Sequence, residues 1–293
     1  MTQLTLEFTS FLRTHGRSES TAQSYTSDVA GYVCWCEQTY GIDFSLSMLN
    51  RSDLHDYQVH CRKVERVSAA TWNRRLASLS VFATWQGVDV SQAMTRAESQ
   101  KLAPKSLILA EYKRFRLAAR EAVRTAKSQA AKRQALRNAA IITLLADAGL
   151  REGEIVRLRV EDVLLGERKG RVIILDAKGN KDRSVPLDKD SVDMLKAWLE
   201  ARPAGDGVEM FVGKRGEMLQ ERGIQKLVAK VAVDAHIGHV TPHQLRHTAA
   251  YRWMAAGADL GKVAELLGHS SIEVTRRYTL PHWEDLEDLV EAA

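Results

Sequence analysis

Groups that can grip an anion or move a proton are concentrated in one stretch, "TPHQLRHTAAYRWMAAGADLGKVAELLGHSSIEVTRRYT", residues 241–279. It holds His243, His247 and His269, four arginines, and the phenols Tyr251 and Tyr278. A bound metal and a bound phosphate are the two chemistries such a stretch suggests. His236, His239, His243 and His247 are spaced by three, four and four residues, and a pair at i, i+4 can share a helix face and a metal ion. Gly238, Val240 and Pro242 interrupt any continuous helix, however, and neither an HExxH motif nor an acidic side chain lies inside the cluster. Phosphate fits better than metal, although "HQLR" alone also reads as a salt-bridged surface arginine beside a satisfied histidine. Thr241 before Pro242 reads as an N-cap followed by proline at the first helical position. That places His243 and Arg246 three apart on the first turn, beside a helix N-terminus that itself favours an anion. A guanidinium can hold two phosphate oxygens while an imidazole bonds a third or takes a proton.

Three further segments extend this reading. "GLREGEIVRL" carries Arg151 just after a Gly-Leu turn at the end of an apolar helix, "AKGNKDRSVPL" puts Lys178 at a hairpin tip, and "LLGHSSIEVTRRYT" sets His269 after a glycine stop and Tyr278 nine residues on. In this order GLRxxE, a KGNKxRxVPL segment, HxLRH and LGHxxxxxTxxYT resemble the signature of the tyrosine recombinases, or phage integrase family, over residues 106–280. The simple Xer-like or transposon-resolvase-like type is the nearest in organisation. Ala177 departs from the pattern, standing where the family commonly has glycine.

The resemblance implies a catalytic set of Arg151, Lys178, His243, Arg246, His269 and Tyr278. Tyr278 would attack a DNA phosphodiester, giving a 3′-phosphotyrosyl link and a free 5′-hydroxyl; a phenol titrates near pH ~10, so the attack needs help. Arg151 and Arg246 would clamp the nonbridging oxygens. Lys178 would protonate the departing oxygen, with Lys181 its rival for that role, and His243 is a candidate to accept the phenol proton. His269 would hydrogen-bond the phosphate, and Glu154 reads as the partner of Arg151. Neither metal nor cofactor is required. The implied partners are double-stranded DNA recombination sites and three further copies of the chain in a homo-tetramer, with room for accessory DNA-binding proteins. The acidic amphipathic tail "PHWEDLEDLVEAA" would dock in trans onto a neighbouring protomer. Strand exchange through a Holliday junction, in dimer or cointegrate resolution or in integration and excision, is the function expected. Relaxation of the type IB topoisomerase kind and an inactive DNA-binding regulator are the alternatives.

The elements that must position these residues divide in two. With 293 residues the chain exceeds the usual ceiling for one core. Residues 1–88 read as about four helices, and this part resembles the SAM-like core-DNA-binding domain of the family. Residues 89–105 read as a linker, and 106–293 as a mainly helical catalytic domain with a small antiparallel sheet. "RVIILD" and "RSVPL" are the convincing strands, joined through a tight Gly179-Asn180 turn, and "VEMFVG" is a further short candidate. The architecture is mainly α with a small antiparallel β-sheet (α+β), a two-domain DNA clamp.

Charge and composition agree. The net charge is +5, and twelve Lys or Arg stand against three Glu between Arg96 and Arg137, an electrostatic bias toward a polyanion. Lys101, Lys105, Lys113, Arg114 and Arg116 are available for phosphates, and Asn73, Arg74 and Arg75 sit on a helix able to enter a groove or remain solvated surface. Arg276 and Arg277 beside Tyr278 divide evenly between DNA contacts and solvated charges. The longest apolar run, Ala139–Ala146, is too short to span a bilayer. Cys34, Cys36 and Cys61 are too few for a disulfide scaffold and are expected as buried thiols. With no secretory leader, a cytoplasmic, membrane-free setting follows.

Overall fold

The structure is a computed structural model, and it describes residues 3–90, 95–98, 105–175, 182–203, 207–213, 216–268 and residue 275. The chain divides into two compact units, Met1–Gln100 and Lys101–Ala293.

The first unit is all-helical: α1 (Gln3–Thr14), α2 (Glu19–Tyr40), α3 (Arg51–Lys63) and α4 (Ala69–Trp85). Local chemistry sets the boundaries. Ser18 caps α2 by accepting from the Thr21 N–H, and Gly41 ends it in the left-handed region at φ 69°. Asn50 and Ser68 cap α3 and α4 in the same way. The core is aromatic: Phe8, Tyr32, Tyr57, Trp72 and Phe82 are fully or almost fully buried. Phe8 meets Phe82 edge-on at 5.2 Å and Tyr32 meets Tyr57 edge-on at 5.0 Å, the arrangement that ring quadrupoles favour. Thr95 and Ala97, which the sequence assigns to the connecting stretch, are tied back onto this unit. Trp72 Nε1 donates to the Thr95 carbonyl at 3.1 Å, and Asn73 exchanges two 2.9 Å bonds with the backbone of Ala97. The thiols differ from expectation in one case. Cys36 and Cys61 are buried, but Cys34 is exposed, because alternate positions on α2 point to different faces.

The second unit is built around α6 (Gln129–Ala146), whose residues from Ala139 to Ala146 are all buried. A helix apolar all round belongs at the centre of a bundle. Here α5 (Leu109–Arg124), α8 (Lys189–Ala201) and α10 (Pro242–Ala255) pack against it. The other helices are α7 (Glu152–Arg157), α9 (Glu221–Asp234) and α11 (Leu260–Leu267). The sheet is antiparallel in the order β1 (Val163–Leu165), β2 (Gly170–Ile174), β3 (Arg183–Leu187). Its β2–β3 pairing ends at Ile174 opposite Arg183. The two sequence-read strands are β2 and β3, while β1 was not anticipated. The "VEMFVG" segment gives only isolated bridges, Glu209 with Arg159 and Val212 with Met218. Its apolar residues serve the core instead: Met210 and Phe211 are buried, and the Met210 carbonyl accepts from Trp198 Nε1 at 3.0 Å. The expected Gly179-Asn180 turn lies outside the described residues. Among those described, no helix is long and apolar enough to cross a membrane.

Candidate active site

Three corners of the second unit meet around one carboxylate. The first lies between α6 and α7, where Gly149 adopts φ 63°. A Cβ there would lie 3.2 Å from side-chain atoms of both Leu267 and Trp253, so glycine answers both the backbone conformation and the close approach. Two residues on, Arg151 is the N-cap of α7, and Glu154 folds back to accept from the Arg151 N–H at 2.8 Å. The other oxygen of Glu154 accepts from Arg151 Nη1, also at 2.8 Å. One glutamate thereby fixes both the backbone and the side chain of Arg151, whose guanidinium stays 45% exposed. Its Nη2 donates to the Gly268 carbonyl at 3.2 Å.

The second corner is the start of α10. Thr241 caps the helix by accepting from the Gln244 N–H at 3.1 Å, with Pro242 in the first turn. This is the start anticipated from Thr-Pro. His243 is exposed there, and its ring meets that of His247 edge-on at 4.2 Å. One turn inward lies Arg246, only 2% exposed. Its Nη1 donates to the Gly149 carbonyl at 2.7 Å and its Nη2 to the Leu267 carbonyl, and Glu154 Oε2 lies 3.9 Å from Nη1. A buried cation requires such partners, and the Leu267 carbonyl sits at the negative end of the α11 dipole.

The third corner supplies a residue to which the sequence pattern assigns no role. Arg183 opens β3 and is 8% exposed. Its Nη2 donates to Glu154 Oε2 at 2.7 Å and its Nε to the Leu266 carbonyl at 2.9 Å. It lies against Gly268, the left-handed stop of α11 at φ 62°, where a Cβ would come within 2.9 Å of Arg183 Nη1. Burial acts to raise the Glu154 carboxyl, but the bonds and charge of Arg183, the Arg151 N–H and the charge of Arg246 outweigh it. The carboxyl is held below its ordinary value. The signal available beforehand was the arginine in "RSVPL", placed on a strand after the lysine-bearing turn.

Arg151 and Arg246 are thus brought together through Glu154, with His243 on the same helix as Arg246. Lys178, His269 and Tyr278 lie outside the described residues, as do Lys101, Arg276 and Arg277. Lys105, Lys113 and Arg114 are exposed. Arg116 is not a surface cation but pairs with Asp147, only 13% exposed. The same carboxylate accepts from the Tyr112 hydroxyl at 2.5 Å. Asn73, Arg74 and Arg75 each have internal partners. Asn73 holds Ala97, Arg74 pairs with buried Asp28, and Arg75 binds Glu65 at 2.7 Å and approaches Cys61 Sγ at 3.0 Å.

The arrangement offers two guanidiniums, one half-exposed and one buried, fixed by a shared counter-ion. Such a pair is suited to holding a tetrahedral anion without rearranging.

Known proteins resemble this chain in sequence and in fold. Residues 116–283 match the family model described as phage integrase family, and residues 4–86 match that of the phage integrase N-terminal SAM-like domain. A tyrosine recombinase XerC of Corynebacterium efficiens is 35% identical over 271 residues, covering 90% of this chain and 82% of that protein. The TnP I resolvase of Bacillus thuringiensis is 27% identical over 97% of this chain and 98% of its own length. Among solved structures, the XerH site-specific recombinase bound to palindromic difH substrate superposes with a TM-score of 0.72 at 22% identity, covering 92% of this chain and 78% of that one. A lambda integrase dimer bound to a core site gives 0.66 at 17% identity, with coverages of 94% and 93%.

Proposed function

The chain belongs to the phage integrase family, the tyrosine recombinases, and from that premise we propose how its residues divide the work of cutting and rejoining DNA. It is a site-specific DNA recombinase. The substrate is a double-stranded recombination site, and one phosphodiester of each cleaved strand is the reacting group.

Arg151 and Arg246 hold the two nonbridging oxygens. Tyr278 Oη attacks phosphorus and the bond to the 5′-oxygen breaks, leaving a 3′-phosphotyrosyl link. His243 accepts the phenol proton, Lys178 delivers a proton to the departing oxygen, and His269 hydrogen-bonds the phosphate. Attack by a 5′-hydroxyl of the partner duplex reverses these transfers and rejoins the strand, so no external energy source is consumed and no metal or cofactor enters the scheme. Developing charge on the phosphoryl oxygens is met by guanidiniums already in place, which avoids reorganisation during the reaction. The observation that supports this reading most is the joint anchoring of Arg151 and Arg246 around Glu154.

The assembly is a homo-tetramer on two DNA sites, with residues 281–293 docking onto a neighbouring protomer and exchange passing through a Holliday junction. The first unit serves as the core-DNA-binding domain, and Lys101, Lys105, Lys113 and Arg114 contribute phosphate contacts. Dimer or cointegrate resolution, or integration and excision of a mobile element, in the cytoplasm, is the role that fits.

The test uses labelled duplexes from the DNA flanking the gene, nicked at successive positions so that cleavage releases a short fragment and traps the adduct. Wild-type protein is expected to form an SDS-resistant adduct without added metal, and Tyr278→Phe is expected to bind the same DNA without forming one. Specific binding by wild type with no adduct at any nick would sink the proposal.

A further inference from the structure

Arg183 has no part in that scheme, yet it ties β3 to α7 and to the end of α11. We propose that Arg183 is a positioning residue: its buried guanidinium cancels the charge of Glu154, so that Glu154 can fix Arg151 without drawing Arg246 away from the phosphate. The inference rests on the recombinase reading of Arg151 and Arg246.

The argument is one of charge and reach. Glu154 is needed to hold Arg151 by its N–H and its Nη1. A bare carboxylate is also the wrong charge beside a phosphodiester whose negative charge grows in the transition state. Glu154 Oε2 faces two guanidiniums, Arg183 Nη2 at 2.7 Å and Arg246 Nη1 at 3.9 Å. The nearer partner occupies the oxygen, and the farther one keeps its bonds to the Gly149 and Leu267 carbonyls. With Arg183 present, three guanidiniums face one carboxylate, leaving two net positive charges. Without it one remains, and Oε2 is released toward Arg246. The second tie of Arg183, to the Leu266 carbonyl, lies one residue from the carbonyl that Arg246 uses. Loss of Arg183 therefore disturbs Arg246 from both sides.

The experiment measures single-turnover adduct formation on the nicked site by wild type, Arg183→Gln, Arg183→Lys and the double variant Glu154→Gln/Arg183→Gln. Melting curves and DNA retention in gels are taken for each. Arg183→Gln leaves one net charge and is expected to slow adduct formation at least about tenfold with DNA retention little changed, since a buried charge this close is poorly screened. Arg183→Lys and the double variant both restore two net charges. Each is expected to react faster than Arg183→Gln, and the double variant recovers although it carries one more substitution. A residue serving only as a structural tie would give additive losses, so a double variant as slow as Arg183→Gln or slower overturns the inference. So does an Arg183→Gln rate equal to that of wild type. If Arg183→Gln does not melt cooperatively, the two charge-restoring variants are compared with wild type. Both within about a hundredfold supports the inference, and both below it overturns it. Failure of wild type itself to form an adduct would instead count against the recombinase reading.

Discussion

At the scale of single residues, Glu154 carries more than its sequence position announces. The i, i+3 spacing identifies it as a partner of Arg151, but its partnership with Arg183 spans 29 residues and depends on β3 reaching α7. Removing a shared buried counter-ion leaves Arg183 and Arg246 uncompensated. Glu154→Ala is therefore expected to lower the unfolding free energy of the second unit by about 3 kcal/mol or more, read from urea denaturation. The pH dependence has a defined sign. A carboxyl held below its ordinary value in the folded state contributes stability that is present at neutral pH and is lost as pH falls through the lowered folded value. Wild type should thus lose stability on acidification below the ordinary glutamate range, and Glu154→Gln should show a shallower acid limb in the same titration. An identical acid limb in the variant would assign that loss to other carboxylates.

At the scale of elements, the parts legible in the sequence are those whose causes are local. Thr241 and Pro242 announce the start of α10 because a side-chain cap and a fixed φ act within one turn. Thr241→Ala is expected to cost about 1 kcal/mol, with Thr241→Ser close to wild type, measured by thermal or urea unfolding. The start of α6 has a local cause of the same kind, since Ser128 caps it. Less legible was β1, three residues that pair only because β2 is beside them. The burial of Arg246 was also hidden, since its carbonyl partners lie 97 and 21 residues away. Nothing in "HQLR" distinguishes a surface arginine from a buried one. Gly268 was legible as a helix stop but not as a neighbour of Arg183. Gly268→Ala is expected to lose about 1 kcal/mol from its left-handed backbone. Because the new Cβ would also displace Arg183, adduct formation should fall by more than the fraction unfolded predicts. A rate that tracks the melting curve alone would contradict that displacement.

For the molecule as a whole, the basic composition divides into charges that face solvent and charges that hold the fold. Arg75 and Arg116 belong to the second group, and Lys113 and Arg114 to the first. Replacing Lys113 and Arg114 with alanine is expected to reduce the slope of log affinity against log salt by up to about 2, while leaving stability nearly unchanged. Arg75→Ala should do the reverse, lowering the melting temperature of the first unit with little effect on the slope. Composition conveyed the net bias, but not this division, which is decided by which carboxylates the fold brings near. The anchoring of Arg246 has a consequence for synthesis. Its guanidinium is oriented by one carbonyl before α7 and another at the end of α11, so it cannot be set until nearly the whole second unit has left the ribosome and folded. A nascent or stalled chain can therefore expose cations that attract a polyanion before this buried guanidinium has found its partners.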